Sequence, residues 1–215
     1  MGGYLSSKIF GKLRHGSTIM KILFFSDLHG DRQAITCIKT QLAKVDVGFG
    51  LGDFATFGKG LPETIQHLVS STEVYFVPGN HDDAEELNWL CEEHEVFHYL
   101  HGEHVSLDNK TFAGLGGGLP GLPFGLTEEK LQQVLNRFYY LENLVLCTHT
   151  PPFGTKVDIT WGGSHIGYQA LRNFVTEVQP LAVYSGHVHE AEGKTDRLGV
   201  TELKSVGSNG LIVDI

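Results

Sequence analysis

Seven side chains of metal-ligand type stand in five short polar turns, and each turn follows an apolar run. The turns are Asp27-Leu28-His29, Gly52-Asp53, Gly79-Asn80-His81-Asp82, Thr148-His149-Thr150 and Gly186-His187-Val188-His189. The seven are Asp27, His29, Asp53, Asn80, His149, His187 and His189, a mixed nitrogen and oxygen set without sulfur. Such a set suits Mn, Fe, Zn or Ni ions and does not choose among them. It is too large for one catalytic zinc, which takes about three protein ligands and keeps a position open. It suits two divalent ions about 3.5–4 Å apart that share a carboxylate. Each turn alone is ordinary, because Asn and Asp are common turn formers. Five of the chain's twelve histidines fall in these few turns, and that coincidence marks a site.

The elements that must position these residues can be read from apolar patterning. Ile22–Phe25 is a buried strand by its continuous apolar run. Asp27 and His29, two apart on an extended chain, would face one ligand while Leu28 points into the core. Ala34, Ile35, Ile38 and Leu42 form a helical stripe within Asp31–Lys44. A strand over Val45–Leu51, a helix over Leu61–Val69 and a strand over Val74–Val77 follow. This alternation predicts a parallel α/β architecture, in which ligands sit beyond the carboxyl ends of strands. Further on the pattern predicts a helix over Ala84–Glu93, a hairpin over Val105–Ala113 and a Gly- and Pro-rich loop over Gly114–Gly125. A helix over Thr127–Tyr140, a strand over Leu144–Cys147, a helix over Ser164–Val178 and a strand over Leu181–Tyr184 come next. From Gly193 to Ile215 the expectation is antiparallel strands, turning near Asp196-Arg197 and Ser208-Asn209-Gly210.

Composition narrows the function classes. A formal charge of −9 argues against a surface that grips polymeric nucleic acid, which would carry a basic patch. Cys37, Cys91 and Cys147 are widely spaced and form no Cys-x-x-Cys pair, so reduced thiols in the cytoplasm are expected. No apolar run is long enough to span a bilayer, and no membrane partner is expected. Residues 1–19 are basic and lack a secretory apolar core. They are read as an N-terminal extension to a domain over 20–215.

The ordered set from Asp27 to His189 resembles the calcineurin-like metallophosphoesterase superfamily, whose five motifs are all present in order. The resemblance implies an α/β fold of two mixed β-sheets packed in a sandwich flanked by helices, with two divalent metals at the strand ends. Carried over motif by motif, one ion would be held by Asp27, His29, Asp53 and His189, the other by Asp53, Asn80, His149 and His187. Asp53 would bridge them. His81 would contact the phosphate and act as acid for the leaving group, and Asp82 would orient His81 from behind. The implied activity is phosphoester hydrolysis by a metal-bridging hydroxide.

The chain departs from the protein Ser/Thr phosphatases of that superfamily. After Asp53 it reads Phe54-Ala55-Thr56-Phe57, without the Arg that clamps a dianionic monoester, and Asp82 stands where those enzymes typically have Glu. It is more similar to the small bacterial and archaeal phosphoesterase branch. A diester carries one charge fewer and needs less clamping, so a phosphodiesterase is expected, acting on a small phosphoester such as a nucleotide. A phosphomonoesterase on nucleotides or small metabolites is the alternative, with Lys59 as substitute clamp. From another class, some relatives are non-catalytic scaffolds, but such members lose ligands that are all retained here. His165, beside a predicted helix start, is expected to cap or to lie on the surface. Phe57, Phe153 and Trp161 could stack on a nucleobase, with burial in the core as the default for each.

Overall fold

The computed structural model describes residues 19–122 and 124–215; of the predicted extension only Ile19 is among them. In chain order the elements are β1 Lys21–Phe25, α1 Arg32–Leu42, β2 Val47–Gly50, α2 Leu61–Leu68, β3 Glu73–Phe76, α3 Ala84–Glu92 and β4 Phe97–Tyr99. They continue with β5 His104–Leu107, β6 Lys110–Leu115, α4 Glu128–Leu135, β7 Leu144–Thr148, α5 Gln169–Val178 and β8 Ala182–Ser185. A single 3-10 turn, His189–Ala191, precedes β9 Thr195–Leu198, β10 Thr201–Ser205 and β11 Leu211–Asp214. One sheet has the order β11-β1-β2-β3-β4 and the other β5-β6-β7-β8-β10-β9. Strands β1 to β4 are parallel, as are β6, β7, β8 and β10, while β11, β5 and β9 run antiparallel to their neighbours.

The continuous apolar character of β1 follows from burial on both faces, the usual state of a parallel strand between layers. Leu23 and Phe25 pack with Ile38, Leu42, Ile65 and Leu87 under α1, α2 and α3. Ile22 and Phe24 point the other way and join Phe49, Phe112, Val145 and Tyr184 between the sheets. Here the Phe24 and Tyr184 rings stack at 3.8 Å, bridging the two sheets. The outer face of the second sheet is covered by α4 and α5 through Leu131, Leu135, Leu171 and Phe174. The result is four layers, helices, sheet, sheet, helices. Each fully buried Phe or Leu contributes on the order of 1.5–3 kcal/mol.

Several predicted boundaries move. α5 starts at Gln169 rather than Ser164, because the preceding segment is drawn into bridges pairing Ile159 with His165 and Pro152 with Tyr168. α4 ends at Leu135, after which the chain continues in tighter turns, Phe138 N–H to Leu135 C=O and Leu141 N–H to Phe138 C=O. β4 is three residues long and escapes a periodicity argument. The turn expected at Asp196-Arg197 lies instead between Leu198 and Thr201. The closing segment is not one antiparallel unit: β10 pairs parallel with β8, and β11 crosses to the other sheet beside β1.

Candidate metal centre

All of the predicted ligands follow strand ends on one side of the two sheets, but extended geometry is not what aims them. Asp27, His29, Asp53 and His187 have φ of 56°, 44°, 58° and 70°. This left-handed region is unfavourable for residues with a Cβ, at roughly 1–3 kcal/mol each, and such strain gathers at functional sites. The expectation that Asp27 and His29 converge by strand alternation is therefore corrected: β1 has ended at Phe25, and both residues are turned by left-handed backbone. The turn is held by a zipper of the loops after β1 and β2. The amides of Asp27, His29 and Gly30 donate to the carbonyls of Gly52, Asp53 and Phe54 at 2.9, 2.9 and 3.1 Å. Gly79 allows the third loop to close on Asp53, since a Cβ there would collide with the Asp53 carboxylate and backbone.

Asp27, His29 and His189 offer ligand atoms within 4.8 Å of one another, and so do Asp53, His149 and His187. Asp53 links the two groups: its Oδ2 lies 3.5 Å from His149 Nε2 and 3.8 Å from His29 Nε2. His149 Nδ1 is bonded to the Leu51 carbonyl at 2.8 Å, so in the neutral ring Nδ1 carries the proton and Nε2 has the lone pair. That lone pair faces the Asn80 amide oxygen, another acceptor, at 3.2 Å. His29 repeats the pattern, with Nδ1 on the Ala55 carbonyl at 3.1 Å and Nε2 3.2 Å from His189 Nε2. Ligand-type atoms gathered at such distances fit a shared cation. Asp27 is steadied by the Ser26 hydroxyl at 2.5 Å and by the His187 amide at 3.1 Å.

The electrostatics agree with this geometry. Burial raises the Asp53 carboxyl, but the charge and hydrogen bond of His149 outweigh it and hold Asp53 below the usual carboxylate range. Burial lowers the His149 ring, yet the Asp53 carboxylate lifts it to about 9. The pocket thus favours a positive charge beside Asp53, either a proton on His149 Nε2 or a cation in its place. His187 is pushed down to about 4 by burial and by His149, which keeps its imidazole neutral and able to ligate.

Asp82 does not do what the motif suggested. Its carboxylate is completely buried. It accepts the backbone N–H groups of Asp53, Phe54, Ala55 and Gly79 at 2.7, 2.9, 2.9 and 2.9 Å, and none of its hydrogen bonds goes to His81. Burial and the Asp53 charge push it up to about 6, while the N–H donors act the other way. His81 is oriented instead by Phe57, whose N–H donates to Nδ1 at 3.0 Å. His81 also approaches His29 and Asp53 within ligand distance of a third ion-sized group, so geometry alone permits it to ligate.

The model of the family described as calcineurin-like phosphoesterase matches residues 20–191. The chain belongs to this family. It is a metal-dependent phosphoesterase whose His and Asp clusters can hold divalent metal. Among its relatives, a Methanocaldococcus jannaschii protein of uncharacterized function is 29% identical over 199 residues, covering 85% of each chain. A probable glycerophosphodiester phosphodiesterase of Arcobacter nitrofigilis is 30% identical over 195 residues, covering 83% of this chain and 67% of its own. A dimetal phosphatase from Danio rerio shares the fold at a TM-score of 0.61 and 13% identity, with 88% of each chain covered.

Some of the other candidate residues depart from their expected places. The default of core burial fails for all three candidate aromatics: Phe57, Phe153 and Trp161 are 66%, 38% and 89% exposed. The Phe57 ring stands 4.4 Å from the His81 ring. His165 is exposed, in line with the surface reading, and caps no helix; its Nδ1 lies 2.7 Å from the buried Asp158 carboxylate. Lys59 is exposed on a tight turn closed by hydrogen bonds to Thr56. Ser26, and the Leu51 and Ala55 carbonyls that fix ring tautomers, were not singled out from sequence. Ser26 was findable as a hydroxyl between a strand and Asp27, whereas a backbone carbonyl has no sequence signature.

Proposed function

We propose that this phosphoesterase is a dinuclear phosphodiesterase acting on small phosphodiesters, nucleotides among them. The observation that carries the dinuclear reading is Asp53, one carboxylate set between two ligand groups. Asp27, His29, Asp53 and His189 would hold one ion, and Asp53, Asn80, His149 and His187 the other. Bound divalent ions would supply an activated water and neutralise charge on the phosphoryl oxygens. The diester preference is supported by the absence of Arg from the loop that follows Asp53 and by the likeness to a probable glycerophosphodiester phosphodiesterase. Free Cys37, Cys91 and Cys147 suit a reducing, cytoplasmic setting.

The chain's own contribution at the leaving group is His81. Because Nδ1 accepts the Phe57 N–H, the proton of the neutral ring is on Nε2. Charging the ring would set two N–H groups against each other, and burial already lowers its pKa. His81 therefore stabilises the departing oxygen by a hydrogen bond from Nε2, a narrower role than a charged acid. His81→Ala is expected to keep its metal content by elemental analysis and to lose roughly 100-fold in kcat. The loss should be larger for alkyl than for p-nitrophenyl leaving groups. Loss of metal, or full retention of rate, would overturn this assignment.

The function itself is tested by comparing bis(p-nitrophenyl) phosphate with p-nitrophenyl phosphate, with added Mn²⁺ and with chelator. Metal-dependent preference for the diester is expected. Preference for the monoester would replace this reading with a phosphomonoesterase, and cleavage of neither would return the scaffold reading.

A further inference from the structure

Beside the metal centre lies a cavity of about 430 Å³ lined by Trp161, His187, His189 and Glu190. Two of these are candidate ligands, one in each group. Trp161 is not part of either group. It is 89% exposed although it stands at the edge of a cavity. The backbone that carries it is held in a turn. Thr160 N–H donates to the Ser164 carbonyl at 3.0 Å, and Gly163 N–H to the Thr160 carbonyl at 2.9 Å. The base of that turn is tied to Asp158, which is fully buried. The Asp158 carboxylate accepts from the amides of Gly154, Thr155 and Gly167 at 2.9, 2.8 and 3.1 Å and meets His165 Nδ1 at 2.7 Å. A bare indole carried on a well-braced turn at the mouth of a phosphoester site is a surface for a ligand.

We propose that Trp161 is the stacking platform for a planar nitrogenous base on the retained ester arm of the substrate, with Glu190 accepting a hydrogen bond from the N–H edge of that base. The proposal rests on the phosphodiesterase reading. A diester carries two arms. The leaving arm is assigned to His81, which does not line the Trp161 cavity, so this cavity takes the other arm. Glu190 is the acceptor in the cavity that belongs to neither ligand group. A cationic headgroup would also suit an indole and a carboxylate, but it would sit beside two divalent ions. A neutral base meets no such repulsion and still gains the stacking, which tolerates any base because each has a π-face.

The test keeps the leaving group constant and varies the retained arm. Three p-nitrophenyl phosphodiesters are compared: the thymidine 5′ ester, the ethyl ester and the choline ester. The wild type is set against Trp161→Ala, Trp161→Phe and Glu190→Gln. Trp161 is so exposed that its removal leaves no cavity in the core. Trp161→Ala is expected to lose about tenfold more kcat/KM on the thymidine diester than on the ethyl diester, through KM, the order that base stacking supplies. Trp161→Phe should recover most of that difference, and Glu190→Gln should lose part of it. Equal losses on the thymidine and ethyl diesters, no loss on either, or a largest loss on the choline diester would each overturn the proposal. Metal-dependent cleavage of none of the three by the wild type would instead sink the diesterase reading, and the platform with it.

Discussion

The carboxylate of Asp82 carries four backbone hydrogen bonds from two loops and so works as a structural clamp under the metal site. Asp82→Asn is nearly isosteric, but its amide nitrogen would face N–H donors. The loss should be about 3 kcal/mol of unfolding free energy, since a buried group is left unsatisfied, together with weakened metal binding. Urea denaturation and elemental analysis check this. A loss of rate with unchanged stability would restore the reading in which Asp82 serves His81. The nine site residues named from sequence do meet in one place, because their chemistry and their position after strands were visible there. Their roles were less visible. A motif says that Asp82 follows His81, but not that its side chain turns back toward the amides of the β2 loop. The positive φ of Asp27, His29, Asp53 and His187 also has no signature in residue type, apart from the neighbouring glycines.

Long apolar strands and amphipathic helices were legible because burial on a defined face dictates their composition. Short elements were not, and β4 shows why. Phe97-His98-Tyr99 is three residues, with a histidine in the middle, and its pairing with β3 comes from tertiary context. Just beyond it, His101 bridges to Gly114, and its Nδ1 accepts the Gly116 N–H at 2.8 Å. It thereby ties the end of β4 to β6 in the other sheet. Burial, and then Arg137, push His101 down to about 4 from an ordinary 6.5. The folded state therefore prefers the neutral ring, and between those values the unfolded chain binds more protons. Stability from this site is complete above about pH 6.5 and is lost as pH falls toward 4. By pH 5 the loss should be about 2 kcal/mol. Denaturant titrations at pH 7 and pH 5 should show it, and His101→Gln should flatten the difference. An equal acid loss in the variant would place the effect elsewhere.

Across the whole molecule, the metal site draws on both sheets. Asp27, His29, Asp53 and Asn80 follow β1, β2 and β3, while His149, His187 and His189 follow β7 and β8. Bound ions would therefore staple one sheet to the other. Metal at about 1,000 times its Kd should add on the order of 4 kcal/mol. Thermal melts in Mn²⁺ and in chelator are expected to differ by several degrees, and an unchanged Tm would argue against metal binding to the folded chain. No helix among the described residues is long and apolar enough to cross a membrane. The first sheet also has a long-distance closure: Lys21 pairs with Asp214, 193 positions away, and Met20 and Ile215 exchange hydrogen bonds of 2.9 Å. On a ribosome adding about 5–20 residues per second, β1 waits roughly 10–40 s for β11. Throughout that interval the nascent chain carries an open strand edge of almost wholly apolar sequence, the kind of edge on which a second chain can dock. Exposure of this edge is greatest before β11 is made, when a chaperone that shields β1 would lower the chance of such docking.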